Sequence, residues 1–116
     1  MTKKSLGVDD KEIASEQERL QRLFKDLPEQ QVGLALRLIE RAAFLGVTLK
    51  KLEAEITKNG FTEVYQNGAN QHGVKRSVAA DLHVSYTKNL STVMRQLNDL
   101  LPSIEPDYEL DEFDKF

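Results

Sequence analysis

The sequence predicts a mainly α-helical fold: three helices, a short β-hairpin or ordered loop between the second and third helices, and an acidic C-terminal tail. Apolar residues recur at steps of three and four in three long segments, which is the period of a helix with one buried face. Proline and Asn-Gly pairs separate those segments, and carboxylates dominate the last twelve residues. The length of 116 residues suits one core, so we assign residues 1–104 to a single helical domain and residues 105–116 to the tail.

The first helix is expected to begin at Asp9 or Asp10, since either side chain can cap it, and to end before Pro28. Proline cannot continue a helix interior, but its fixed φ suits a first turn, so the second helix is expected to begin at Pro28. That helix should end at Asn59, because Gly60 supplies the left-handed residue that often closes a helix.

The second helix has an apolar arc wider than one stripe, which predicts contacts with a neighbouring helix and with a second subunit. Within it, Ala42, Gly46, Val47 and Leu52 also follow the spacing of a helix-turn-helix. One unbroken helix explains the same residues, since no other turn former lies there. The sequence leaves both interpretations open.

The segment after Gly60 loses the helical period. Asn67-Gly68 is a typical hairpin turn, so we predict short strands at residues 62–66 and 71–75. Because an isolated two-stranded hairpin is marginally stable in water, it must lean on a helix or on a partner.

The third helix is expected to start after Ser77, a good N-cap, and to continue to about Leu101, before Pro102. From Tyr86 onward its apolar residues follow alternating steps of four and three, as in the seam of a coiled coil. This seam predicts the self-association surface, which comprises Leu90, Val93, Leu97 and Leu100.

Several classes of chemistry are excluded or disfavoured. The chain has no cysteine, which excludes disulfides, thiolate metal sites and cysteine nucleophiles. There is no phosphate-binding glycine loop, no HExxH motif and no calcium loop, and His72 and His83 have no spacing that suits a metal. We therefore expect a non-enzymatic protein without cofactor or metal. No apolar window is long enough to cross a membrane, and a cytoplasmic location is expected.

The charge is distributed unevenly. Residues 105–116 contain six acidic residues and one lysine, a net charge of −5; since the whole chain carries −3, the other 104 residues carry +2. A weakly basic body can bind a polyanion. The residues predicted to contact DNA phosphates are Lys50, Lys51, Lys58, Lys75, Arg76 and Lys88.

The stretch from Leu38 to Pro102 resembles the short, mostly helical phage terminase small subunits. The resemblance is carried by a helix with an AFxxxTLxxLxxxIxxxG pattern, by a YQNGxNQxGxKxS loop and by a helix that ends in QLxxLLP. Its most specific part is the loop, which here comprises Tyr65 to Gly68, Asn70-Gln71, Gly73, Lys75 and Ser77.

The resemblance implies a protein that recognises viral double-stranded DNA to start genome packaging in the host cytoplasm. It also implies a ring-like or other homo-oligomer that delivers DNA to a terminase large subunit, which holds the ATPase and the nuclease. The acidic tail with its interleaved aromatic residues would dock that subunit or the portal, or would only aid solubility. Two alternatives remain: a phage-type helix-turn-helix transcriptional regulator, and a protein-only assembly adaptor.

Overall fold

The computed structural model describes residues 7–66, 68 and 72–101. Helix α1 spans Asp10–Leu23, α2 spans Val32–Asn59 and α3 spans Val78–Leu100; strands β1, Thr62–Gln66, and β2, His72–Arg76, lie between α2 and α3. These elements confirm the predicted fold of three helices with a hairpin between the second and third. The acidic tail and the predicted boundary after residue 104 lie outside the described residues.

The helix ends follow the capping residues that the sequence offers. The Asp9 carboxylate accepts a hydrogen bond from the Lys11 N–H at 2.8 Å, and the Ser77 hydroxyl accepts one from the Ala80 N–H at 3.1 Å. Gly60 has a φ of +80° and donates its N–H to the Ile56 carbonyl at 2.7 Å, which closes α2. The predicted caps at Asp9, Ser77 and Gly60 are therefore confirmed.

The corner between α1 and α2 differs from the prediction. Helix α1 ends at Leu23 rather than at Leu27, and α2 begins at Val32 rather than at Pro28, after a 3₁₀ turn over Glu29–Gln31. A residue before proline avoids the helical region, which excludes Leu27 from α1, and the helix already ends at its C-cap Phe24, whose φ of −110° and ψ of 33° are not helical. Pro28 has an extended ψ of 143° and precedes the 3₁₀ turn.

Helix α2 runs without interruption through residues 42–52, so a helix-turn-helix does not form there and the unbroken-helix interpretation is confirmed. Its Ala42, Val47 and Leu52 side chains are buried. They are buried because α2 lies between α1 and α3 and packs against both.

The core lies where α1 and α3 cross the same half of α2. Small alanines on α2 let the flanking helices approach closely, and Leu97 of α3, 0% exposed, fills the centre. The buried members of this cluster are Leu20, Phe24, Ala35, Ile39, Ala42, Ala43, Leu45, Val93 and Leu97.

The hairpin pairs its strands antiparallel, with Tyr65 opposite Gly73 and Gln66 opposite His72. Strand β2 therefore begins one residue later than predicted, and five residues connect the strands. The Tyr65 ring lies so close to Gly73 that a Cβ at that position would meet the ring at 2.5 Å. A side chain at position 73 would require the Tyr65 ring to move, so glycine suits this close contact.

Candidate nucleic-acid interface

The hairpin is the least covered regular element of the described chain. In each strand four residues are exposed, and the second residue of β1 and of β2 is half-buried. Strands bury one face when they pack on a core. This hairpin packs neither face on the described helices, so both faces are open to a binding partner.

One face of the hairpin is organised around Tyr65. Its ring covers Gly73, and the Lys75 ammonium lies 5.9 Å from the ring centroid. Lys75 also forms an ion pair with Glu63 on the opposite strand, at 3.5 Å between Nζ and Oε1. These contacts hold the lysine against the hairpin surface while more than half of its side chain stays exposed.

The opposite face joins apolar and basic groups. Val64 and Val74 are directly paired across the strands and are 73% and 67% exposed. Successive strand residues point to opposite faces, so Arg76 shares this face with Val74, whereas Lys75 does not. Arg76 forms an ion pair with Asp81 in the first turn of α3, at 2.6 Å between Nε and Oδ1. The hairpin therefore presents one cation on each face.

A shallow depression lies at the base of this second face, where α2 and α3 meet the hairpin. Arg76 is at its edge, Phe61 contributes an exposed ring, and His83 contributes its imidazole. The Nε2 atom of His83 lies 3.0 Å from Oε2 of Glu53, which joins α3 to α2. His83 thus has a structural contact, and His72 is exposed on β2.

The other predicted DNA-binding residues lie apart from the hairpin cations. Lys50 and Lys51 are in the middle of α2, Lys58 is in its last turn, and Lys88 is on α3. All are exposed except Lys51, which is half-buried. The structure therefore distributes the predicted set over several surfaces, and its proposed joint role in DNA binding stays a prediction.

A second basic surface, which the sequence reading missed, is the α1–α2 groove, an open cleft of about 860 Å³. Its cationic lining residues are Lys11, Arg19, Arg22 and Lys50, and its acidic ones are Glu12 and Glu16. Arg19 donates to both carboxylate oxygens of Glu16, at 2.7 and 2.6 Å. That hydrogen bond, and to a smaller extent the nearby charge of Lys50, lowers the pKa of Glu16 although burial opposes the shift.

The groove had a signal in the sequence. Positions 11, 15, 19 and 22 recur at helical steps, so Lys11, Arg19 and Arg22 share one side of α1. Finding Lys50 opposite them requires knowing that α1 packs antiparallel along this part of α2. The packing of α1 on α2 is a tertiary contact, which the spacing of residues within one helix does not predict.

The predicted self-association residues lie mostly inside the chain. Val93 and Leu97 are buried in the core, while Leu90 and Leu100 are half-buried and pack against it. Their seam is occupied by α2 and α1 of the same chain, so Val93 and Leu97 are not available to a second copy in this fold. Self-association itself stays a prediction.

Within the described ranges there is no group of three or more histidine, aspartate or glutamate residues placed to hold a metal ion. None of the described helices is both long enough and apolar enough to cross a membrane. Comparison of the chain with protein-family models, with curated proteins and with solved structures gives no match.

Proposed function

We propose that this chain is a non-enzymatic phage terminase small subunit, which binds viral double-stranded DNA and recruits or regulates the large ATPase and nuclease subunit for packaging. The observation that carries the proposal is the uncovered hairpin with a cation on each face. It is the element built from the loop pattern on which the resemblance chiefly rests.

A two-stranded ribbon has the dimensions of the DNA major groove, which is about 12 Å wide and admits either a helix or a β-ribbon. Lys75 and Arg76 on opposite faces would meet phosphates on both sides of such a groove. The exposed pair Val64 and Val74 lies on the Arg76 face, so it would pack against sugars on the same side of the groove. Both ion pairs involve exposed side chains, so phosphates can compete for the two cations.

The residues that carry the resemblance have defined structural roles in the hairpin. Gly60 closes α2, Tyr65 covers Gly73, Gly68 has a φ of +83°, and Ser77 caps α3. The residues of the pattern therefore lie at the end of α2, in the hairpin and at the start of α3.

A homo-oligomer would use a surface other than the seam of α3. Large apolar side chains remain exposed near the corner between α1 and α2: Leu23, Val32, Leu34 and Leu36. Val32 and Leu36 are four residues apart on α2 and share one side of the helix, and exposed apolar groups so placed favour a contact with another protein. We assign the contact between copies to this end, which leaves the hairpin at the other end of α2 free for DNA.

The test compares two double charge reversals. Lys75→Glu with Arg76→Glu removes both hairpin cations, whereas Arg41→Glu with Arg95→Glu makes the same charge change at exposed positions away from the hairpin and from the corner between α1 and α2. Duplex DNA binding is measured by fluorescence anisotropy from low to high salt. We expect the hairpin variant to reduce the slope of log affinity against log salt by about 2, one for each lost phosphate contact.

The control variant should bind DNA nearly as the unchanged chain does, and both variants should keep their far-ultraviolet circular dichroism. Equal weakening by the two variants would mean that only net charge matters, and the hairpin would lose its role. Full retention of the salt slope in the hairpin variant would do the same.

A protein-only adaptor is the second candidate, and the exposed apolar residues Phe61, Val64 and Val74 favour it. An adaptor would bind no duplex DNA even at low salt, where a DNA-binding subunit would bind most tightly. The regulator alternative loses the pattern that suggested it, because residues 42–52 form one continuous helix.

A further inference from the structure

We propose that the acidic C-terminal segment, residues 105–116, docks into the α1–α2 groove of the same chain. The groove is basic and open, and the segment is the most acidic part of the sequence. The inference requires no DNA and no second protein.

Among the described residues, Arg19 is the one lining cation in an ion pair, with Glu16, whose carboxylate also lies near Lys50. Glu16 is engaged by Arg19, and the remaining lining charges are Lys11, Arg22 and Lys50 against Glu12. These three cations are exposed. Their combined field would attract a segment with a net charge of −5 more strongly than any single surface lysine would.

The segment matches the groove in more than charge. Its acidic residues alternate with large apolar ones, which are Tyr108, Leu110, Phe113 and Phe116. The long stems of lysine and arginine side chains offer apolar surface, and their charged ends can lie over aromatic rings. Gly46 in the groove wall adds room, since a Cβ there would meet only the Glu16 carboxylate, at 3.8 Å.

The chain geometry allows the segment to reach. Leu101, the last described residue, packs against the same core cluster as Leu20 and Phe24, which flank Arg22 on α1. Glu105 follows four residues later and can lie up to about 14 Å away. From Arg22 to Lys11 the groove runs about 17 Å along the helix, while twelve extended residues cover about 40 Å. Attachment also gives the segment a high effective concentration at the groove.

Each contact between the segment and the groove would be an exposed charge pair, which is weak and is screened by salt, so the docking should weaken as the salt concentration rises.

The test uses a nitroxide spin label on the full chain. The chain has no cysteine, so Lys115→Cys gives one labelling site within the segment. We expect paramagnetic broadening of the Ser15 and Gly46 amide signals, and little broadening at Ser91 on α3. Raising the salt to about 1 M, where the screening length is about 3 Å, should reduce the broadening.

A pair of variants then locates the contact. Arg22→Glu with Lys50→Glu should lower the broadening at Ser15 and Gly46 by at least half. Arg37→Glu with Lys88→Glu, two reversals outside the groove, should leave it unchanged. Equal losses in both variants would overturn the groove assignment.

A mixed sample distinguishes docking within one chain from docking of the segment on a second copy. Isotope-labelled chains without nitroxide are combined with unlabelled chains that carry it. Broadening of the isotope-labelled chains at the groove would show that a second copy supplies the segment, which overturns the same-chain proposal. Absence of broadening in both the single and the mixed samples would also overturn it, and neither result would affect DNA binding, which is measured separately.

Discussion

Leu97→Ala tests whether the seam of α3 belongs to the core of one chain or to a contact between chains. Leu97 is 0% exposed and lies against residues of α1 and α2. Truncation removes three apolar carbons, which costs about 2.4 kcal/mol in transfer free energy at about 0.8 per methylene. A residual cavity of roughly 50 Å³ adds about 1.2 kcal/mol. The expected loss in the free energy of unfolding is therefore about 3.6 kcal/mol.

The assay is urea denaturation followed by circular dichroism at two protein concentrations about 100-fold apart. If Leu97 is buried within one chain, the loss relative to the unchanged chain is the same at both concentrations. Leu34→Ala is the matched control; because Leu34 is 54% exposed, its truncation in an isolated chain should cost no more than about 0.5 kcal/mol. A loss for Leu97→Ala below about 1 kcal/mol, or one that changes with concentration, would refute the placement.

Three further predictions concern single side chains. Gly46→Ala should raise the free energy of unfolding by about 0.5–1 kcal/mol in urea denaturation, because alanine favours a helix interior and its Cβ meets only a carboxylate oxygen at 3.8 Å; no gain would contradict this. Gly73→Ala should lower hydrogen-exchange protection of the hairpin amides by about tenfold or more while the helices persist, and adding Tyr65→Ala should restore the space. Arg19 lowers the pKa of Glu16, so the stability it gives is present above the ordinary glutamate pKa and is lost as the pH falls through the lowered folded-state value. Glu16→Gln should therefore cost at most about 1 kcal/mol at pH near 7 and progressively less as the pH falls through the lowered pKa, as measured by denaturation at neutral and acidic pH.

Local signals predicted most of the fold. Asp9, Gly60 and Ser77 each act through hydrogen bonds or backbone angles within a few residues, so the helix ends that they cap can be predicted without tertiary information. The ends of α1 and α2 near Pro28 were harder to predict from the sequence. There the restriction on Leu27 and the burial of Phe24 compete with simple helix propensity, and the burial depends on the other helices.

The hairpin shows where a strong local signal is incomplete. Asn67-Gly68 predicted a hairpin, but that pair alone does not fix the register, in which Tyr65 lies opposite Gly73. A one-residue shift in strand pairing moves every side chain to the other face. Strand β2 lies one residue later than predicted. This difference places Arg76 within β2 and determines the face on which each cation lies.

The candidate site was predictable in part. The exposed cations Lys75 and Arg76 could be named from the sequence, since they follow the turn and precede an N-cap. Their ion pairs with Glu63 and Asp81 could not be, because one crosses the hairpin and the other links it to α3. The seam of α3 likewise identified a buried stripe, but a stripe does not say whether its partner is the same chain or another.

The unbroken course of α2 sets a distance. Its 28 residues span about 42 Å at 1.5 Å per residue, and a helix cannot shorten without losing backbone hydrogen bonds. The rod carries the exposed leucines at one end and the hairpin beyond the other. If copies gather at the leucine end, the length of α2 sets how far each hairpin lies from the shared contact.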